Sequence, residues 1–369
     1  MSPGLKNVII VGAGPAGQLL GLLLGRDAIP VTIVEQTLEL DDKPRATHYA
    51  PPAMKVLNRA GLGSDLRKYG FLPDGVAWRK PDGTRIAGIS NEIDGDDPDR
   101  MVALPLCDLA RLIYDHSKHL PSVTYLFHHR VTAIGQDDSR AWVDVYYDFS
   151  RFGYSDSNFI LDSKDWFMAA KITKDGLWRV TYGEATGSTP EEILGRQPER
   201  FRSILPGHPK PDEYKLVSIS PYKVHQRLAK RMIAGRILLA ADAAHLCNPF
   251  GGLGLTGGIV DVEGLYECLS GIHRNKASRS ILEVYDQVRR QKYQDIIDPI
   301  SSENLRRMFS VHPDEVLASD PFLKLCKDAE SDQEKLKELS KGAQALGYDF
   351  TKHYTSGDGG VGGGLGTRL

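Results

Sequence analysis

Apolar residues fall into different rhythms along this chain. Near its start they form short runs, Val8-Ile-Ile-Val11 and Val31-Thr-Ile-Val34. A strand buried on both faces reads this way, because it has no solvent face to mark with polar residues. Between them, Pro15 to Arg26 carries Leu19, Leu20, Leu22, Leu23 and Leu24, which predicts a buried helix.

The middle of the chain is strand-rich. Val123–Phe127, Val131–Ile134 and Ala141–Val145 read as strands, and Trp166–Ile172 and Leu177–Tyr182 flank Lys174-Asp-Gly176, a hairpin signal. Pro73 to Arg100 is turn-rich, a hairpin with an exposed acidic loop at Asn91 to Asp99. Thr189 and Pro190 open a helix as cap and first residue. Gly235-Arg-Ile-Leu-Leu-Ala240 returns to the pattern of a buried strand. Beyond Gly258 the pattern is helical, near Ile259–Ser270 and then Ser280–Ile297, where Pro299 is expected to stop it. Ser331–Leu346 predicts a charged, solvated helix, and the glycine-rich stretch Ser356–Gly366 is flexible by composition.

Glycine spacing adds chemistry to the first unit. Gly12, Gly14 and Gly17 follow the first strand as Gly-x-Gly-x-x-Gly. The first permits a tight turn, the second lets the backbone approach a pyrophosphate, and the third lets the helix pack on the strand. Ala16 sits in the first helical turn, where free amides and the helix dipole favour phosphate charge. Glu35 ends the second strand 18 residues after Gly17, close to the spacing of an acid that bonds a ribose hydroxyl pair. An acid there argues against a 2′-phosphate, and so against NADP in this pocket. The motif alone leaves FAD and NAD open.

More than two hundred residues later, Gly235–Ala240 runs into Asp242-Ala-Ala-His245 and a Pro- and Gly-rich loop. Together the two motifs resemble the two ends of the FAD site in the aromatic-ring flavin monooxygenases, the para-hydroxybenzoate hydroxylase family. That family's late segment reads Gly-Asp-Ala-Ala-His-x-x-x-Pro-x-x-Gly-x-Gly-x-Asn. The resemblance implies an α/β fold: a Rossmann-like FAD-binding domain of the glutathione-reductase type, an inserted β-sheet substrate domain and a helical C-terminus. It implies that Asp242 bonds the ribityl chain and that Pro249 lies beside the flavin ring. Gly252, Gly254, Leu255 and Thr256 then lead to a helix starting near Gly257, whose N-terminus faces the pyrimidine side of the isoalloxazine. Ala241 replaces the family's Gly, which reads as a small change, and Thr256 replaces its Asn while keeping a hydroxyl. Arg45, in Pro44–Tyr49, falls where the family has an arginine touching FAD. Arg111 follows on the helix under the adenosine, where this chain has Leu106 in place of the family's Gln or Arg. His48, Tyr49, Tyr222 and His225 are candidates for substrate contact, and no catalytic base is assigned.

On this reading, residues 1–75, 100–145 and 225–310 form the FAD-binding domain. Residues 76–99 and 146–224 form the β-rich substrate domain. Residues 311–369 form a helical C-terminal segment with a flexible tail. The resemblance runs from Asn7 to about Phe309 with one hole. Family members carry a strand ending in Gly-(Ala/Cys)-Asp-Gly-x-x-Ser between the two flavin segments. After Val145 this chain runs straight into substrate-domain sequence instead, and Gly135-Gln-Asp-Asp138 reads as a hairpin turn. The parallel sheet is expected to lack a strand and the cofactor a wall.

Composition acts by exclusion. The 369 residues suit two domains or one large one, and 41% hydrophobic with 25% charged residues is ordinary for a soluble globular protein. A net charge of −2 gives no reason to expect nucleic acid or an anionic membrane. Cys107, Cys247, Cys268 and Cys326 have no metal-ligand spacing. They suit a reducing compartment, so a cytoplasmic location and no metal are expected. The start of the chain reads as neither a signal peptide nor a membrane span.

The resemblance implies an FAD-dependent monooxygenase. NAD(P)H would dock transiently, since no second convincing nucleotide fold is present, and O2 would form a flavin C4a-hydroperoxide. The acceptor would be a phenolic or related aromatic small molecule. Two other readings stay open. One is a different FAD oxidoreductase, although none of the four tryptophans lies in a halogenase Trp-x-Trp-x-Ile-Pro motif. The other is a degenerate, non-catalytic flavin-binding protein, motivated by the missing segment.

Overall fold

The computed structural model describes residues 4–42, 46–130, 141–146, 149–184, 188–221, 224–310 and 312–355. The chain opens with the expected unit: β1 (Val8–Val11), α1 (Pro15–Arg26) and β2 (Val31–Val34). β1 and β2 pair in parallel from Val8↔Val31 to Val11↔Val34. Gly17, Gly21 and Gly25 let α1 lie close on the strands: Cβ atoms there would collide with the Gly12 carbonyl, Ile33 and Val123 in turn. A spacing of four puts all three on one helix face.

β3 (His48–Tyr49), α2 (Pro51–Arg59) and α3 (Gly63–Tyr69) follow, then β4 (Gly75–Arg79), β5 (Arg85–Ser90), β6 (Val102–Ala103), α4 (Leu106–Ser117) and β7 (Val123–Leu126). β7 joins the first sheet, giving the all-parallel order β1-β2-β7. β8 (Ala141–Tyr146), β9 (Ser157–Ile160), β10 (Phe167–Lys171), β11 (Leu177–Tyr182), α5 (Pro190–Ile204) and β12 (Lys215–Pro221) come next. These strands and the β4–β5 hairpin form a seven-stranded sheet, ordered β12-β8-β11-β10-β9-β4-β5. Its pairings are antiparallel except β4–β9. The predicted hairpin is present, with β10 and β11 paired from Lys171↔Trp178 to Phe167↔Tyr182. α5 starts at its predicted cap: the Thr189 side chain accepts from the Glu192 N–H, and the Glu192 carboxylate accepts from the Thr189 N–H.

The two-residue strands β13 (Arg227–Leu228), β14 (Ile233–Ala234), β15 (Ile237–Leu238) and β16 (His245–Leu246) lead into the helices. These are α6 (Leu253–His273), α7 (Ile281–Lys292), α8 (Asp298–Ser310), α9 (Val316–Ser319), α10 (Pro321–Ala329) and α11 (Gln333–Lys341). α6 packs on α1, α2 and α7, and α10 packs on β5 of the larger sheet. Among the described residues no helix is long and apolar enough to cross a membrane.

Three expectations are corrected. Ala141–Val145, assigned to the first domain, lies in the larger sheet as β8, between β11 and β12. An extended segment must pair its backbone, and β8 does so with β11 and β12. Second, Gly235–Ala240 is not a buried strand of the first sheet. Only Ile237–Leu238 pairs as a strand, in a hairpin with β14, and Ile237 is 68% exposed. Among the described residues β1 is an edge strand, and one of its faces is uncovered: Ile9 and Val11 are 68% and 65% exposed, while Ile10 is 8% exposed. Third, Pro299 does not stop the helix. α7 passes through a π turn at Tyr293–Ile297 into α8, where Pro299 is the second residue; the wider π turn just before it interrupts the regular hydrogen-bond ladder, and there a residue without an N–H is accommodated. Val131–Ile134, the Gly135–Asp138 turn and the glycine-rich tail lie outside the described residues.

The open side of β1 gives a direct test. Ile10→Ala is expected to cost about 2–4 kcal/mol in urea unfolding, and Ile9→Ala no more than about 0.5 kcal/mol. Equal losses would mean that the Ile9 face is covered in solution.

Candidate functional site

The N-terminal loop is shaped by two glycines that no other residue replaces easily. Gly12 has φ +100°, and Gly17 sits against the Gly12 carbonyl. Gly14 precedes α1, whose first turn has Pro15, no capping side chain and no acid. A Cβ built on Gly14 meets no protein atom within 4 Å. Uncapped first-turn amides beside open space are the arrangement that receives a phosphate.

Glu35 is already oriented beside this loop. Its Oε2 accepts from the Ala13 N–H at 2.8 Å, and its Oε1 accepts from the Thr37 N–H and hydroxyl, both at 2.9 Å. Burial raises its pKa, but the Thr37 and Ala13 amides outweigh burial and hold the carboxyl below its ordinary value. It stands as a fixed anion at neutral pH, able to accept from a vicinal diol.

The second motif is a tight turn followed by a helix. Asp242 is exposed in a 3-10 turn, Ala241–Ala243. Ala241 has φ +54°, so its replacement of Gly is not small: the left-handed region costs an L-residue about 1–2 kcal/mol. Pro249 opens a second 3-10 turn, capped by Asn248, whose side chain accepts from the Phe250 N–H at 3.0 Å. Gly252, at φ +61°, then turns the chain into α6. α6 begins at Leu253 rather than near Gly257, so Gly254, Leu255 and Thr256 already lie at its start. No side chain caps it and no acid sits in its first turn. Thr256 is fully buried, and its Oγ1 has no hydrogen-bond partner in the protein. Cys247 Sγ lies 3.4 Å from a Cβ built on Gly254. Burial, then Asp242 and Asp298, push its thiol up to about 12, so it is not a thiolate nucleophile.

α6 packs on both α1 and the Ala241–Ala243 turn, and Ala13, Ala16, Ala244 and Leu255 share one apolar cluster. Motifs more than two hundred residues apart in the chain thus meet around two uncapped helix starts. Free amides, a fixed carboxylate and an unpartnered hydroxyl are the donors and acceptors that an FAD molecule needs.

The other predicted residues divide. Arg45 and Tyr222 lie outside the described residues. Arg111 is exposed on α4, 3.5 Å from Asp108 of its own helix. Tyr49 is a core residue rather than a substrate contact: it is fully buried and donates to the Leu104 carbonyl at 3.0 Å. His225 is half-buried. His48 has Nδ1 2.8 Å from Thr47 Oγ1, and its Nε2 is buried without a partner. Among the described residues no group of His, Cys, Asp and Glu side chains could hold a metal ion. Sequence reasoning missed Asp261 and Arg289, which are buried as an ion pair behind the second motif. The signal was available: a lone carboxylate inside the apolar run Ile259-Val-Asp-Val262.

A family model described as an FAD binding domain matches residues 6–151 and 166–299. The chain belongs to the FAD-binding aromatic-ring monooxygenase family. It is 33% identical over 368 residues to the para-nitrophenol 4-monooxygenase of Pseudomonas sp. (strain WBC-3), covering 87% of this chain and 91% of that one. It is 30% identical over 359 residues to the 6-hydroxy-3-succinoylpyridine 3-monooxygenase HspB of Pseudomonas putida (strain DSM 28022 / S16), covering 84% and 91%. The solved structure of p-nitrophenol 4-monooxygenase PnpA from Pseudomonas putida DLL-E4 superposes with a TM-score of 0.85 at 31% identity, over 94% of this chain and 99% of that one. The family's cofactor is FAD and its chemistry is monooxygenation.

His48 makes the stability of this family member depend on pH. Burial lowers its pKa to about 4, with Asp156 opposing and Arg179 adding to the shift. Unfolded, the same group titrates near 6.5. Between these values the unfolded chain binds more protons, so this contribution is lost as the pH falls from about 6.5 towards 4. His48→Gln is expected to flatten that part of the melting-temperature profile. An unchanged slope would show that His48 titrates normally.

Proposed function

We propose that this protein hydroxylates a phenolic or related hydroxyl-bearing aromatic small molecule, using NAD(P)H and O2 with bound FAD. The observation that carries the reading is the meeting of two uncapped helix starts, α1 and α6, around the fixed Glu35 carboxylate and the Asp242 turn. The names of its relatives support the substrate class, since nitrophenol and hydroxy-succinoylpyridine are both six-membered aromatic rings bearing a hydroxyl.

In this reading Gly12, Gly14, Ala16 and Gly17 border the pyrophosphate, and Glu35 accepts from the adjacent ribose hydroxyls. Arg45 is the arginine that touches FAD, and Arg111 reaches the cofactor from α4. Asp242 accepts from the ribityl chain and Pro249 flanks the ring. Gly252, Gly254, Leu255 and Thr256 bring the positive end of α6 to its polar edge, favouring negative charge there. The flavin, when bound, supplies hydride acceptance and oxygen activation. The seven-stranded sheet covers the substrate and excludes water. Phe250, next to Pro249, packs edge-on at 5.4 Å against Trp166, the residue just before β10 of that sheet. We place the protein in the cytoplasm, where NAD(P)H is available and its four free cysteines stay reduced.

A second reading rests on the open edge of β1. There FAD binds loosely, and reducing equivalents leak to O2 as peroxide.

Denatured protein is expected to release FAD, and release of FMN or NAD alone would refute the cofactor assignment. Glu35→Ala and Asp242→Ala should each weaken FAD binding by roughly tenfold to a hundredfold. The two losses should be nearly additive, because the residues serve opposite ends of the cofactor. In a screen of phenols, NADPH consumption matched by hydroxylated product supports the first reading, and consumption matched by peroxide the second. On the second reading, inserting a relative's Asp-Gly segment after Val145 should tighten FAD binding and restore coupling. Tight, coupled turnover by the chain as it stands would show that the segment is dispensable.

A further inference from the structure

α6 carries a carboxylate in its most buried stretch. Asp261 is fully buried, and its oxygens serve three separate elements. Oδ1 accepts from Arg289 Nε of α7 at 2.6 Å. Oδ2 accepts from His245 Nε2 of β16 at 2.7 Å and from the Ala241 N–H at 3.0 Å. A carboxylate only accepts, so His245 carries its proton on Nε2. Arg289, itself buried, also donates to the Leu346 carbonyl at 2.7 Å. Burial pushes the Asp261 carboxyl up, but Arg289 and then His245 more than offset it, and it titrates below its ordinary value.

Ala241 is the residue that needs holding. Its φ of +54° is one that a glycine adopts freely and an alanine does not. α6 passes so close that a Cβ on Gly258 would come within 2.8 Å of the Ala241 Cβ. The next residue is Asp242. We infer that Asp261 is a positioning residue for the flavin-facing turn: its hydrogen bond keeps Ala241 in the left-handed conformation and so aims Asp242 at the cofactor. This rests on the assignment of Asp242 to the flavin site made above. A glycine at 241 would enter that conformation without the alanine's penalty, so the need for Asp261 is greatest with the alanine.

The consequence is coupling between positions 241 and 261, measurable by titrating FAD into apo-protein and following flavin fluorescence. Asp261→Asn is expected to weaken FAD binding at least about tenfold in the wild-type background, and less than about threefold in the Ala241→Gly background. A purely structural ion pair would lose affinity and melting temperature alike in both backgrounds, and equal losses would overturn the inference. Asp261→Asn leaves Arg289 buried without its counter-charge, which can unfold the chain. Should that variant not fold, Asp261→Asn/Arg289→Gln removes both charges and is read in the same two backgrounds by the same criterion. Asp242→Ala separates this inference from the reading beneath it. Unchanged FAD affinity there removes Asp242 from the site and overturns both. Weakened affinity there, with equal Asp261→Asn losses in the two backgrounds, overturns the inference alone.

Discussion

The packing of α1 against α6 is the contact on which the site depends. It joins the first and second motifs, which no local interaction could bring together. Both helices achieve it by giving up side chains elsewhere. α1 rests on the strands through Gly17, Gly21 and Gly25. α6 carries Gly257, Gly264 and Gly271, where Cβ atoms would strike Ile297, Phe350 and Tyr354. Spaced seven apart, these three share one helix face and seat the π turn and the end of the described chain against it. Glycine inside a helix costs about 1 kcal/mol relative to alanine. The close packing it permits offsets that cost and fixes where each helix begins.

Behind the second motif a buried charge supplies direction rather than simple cohesion. An ion pair such as Asp261–Arg289 is weak evidence for stability, because desolvating both charges is costly. It does specify geometry. Asp261 gathers α7, β16 and the Asp242 turn onto one side chain. A packed leucine there would offer nothing to the Ala241 N–H.

The first sheet shows the opposite case, a constraint left unfilled. A parallel sheet usually has both faces covered, and an edge strand presents unpaired backbone groups to its surroundings. Among the described residues β1 is such an edge, and its Ile9 and Val11 face is uncovered as well. The architecture nonetheless superposes closely on PnpA. The cores under α1 and under the larger sheet are separate apolar clusters, so a gap beside β1 leaves both intact.

The sequence alone determined the features that depend on near neighbours. The Gly-x-Gly-x-x-Gly loop with its strand, helix and terminal Glu35 was legible, as were the β10–β11 hairpin and the Thr189 cap. Each follows from side-chain periodicity or from contacts within one turn. The resemblance to a family added FAD and the second motif. Tertiary structure alone decided that β8 joins the larger sheet, that Gly235–Ala240 stays outside the first, and that α7 and α8 run together past Pro299. It also decided that Ala241 is left-handed and that its N–H meets a carboxylate 20 residues away, itself paired with an arginine 28 residues further on. A strand's apolar pattern says that it will be buried, not which edge will accept its hydrogen bonds. A buried charge in a sequence says that it must be paired, not with what, because the partner is chosen by how distant elements pack.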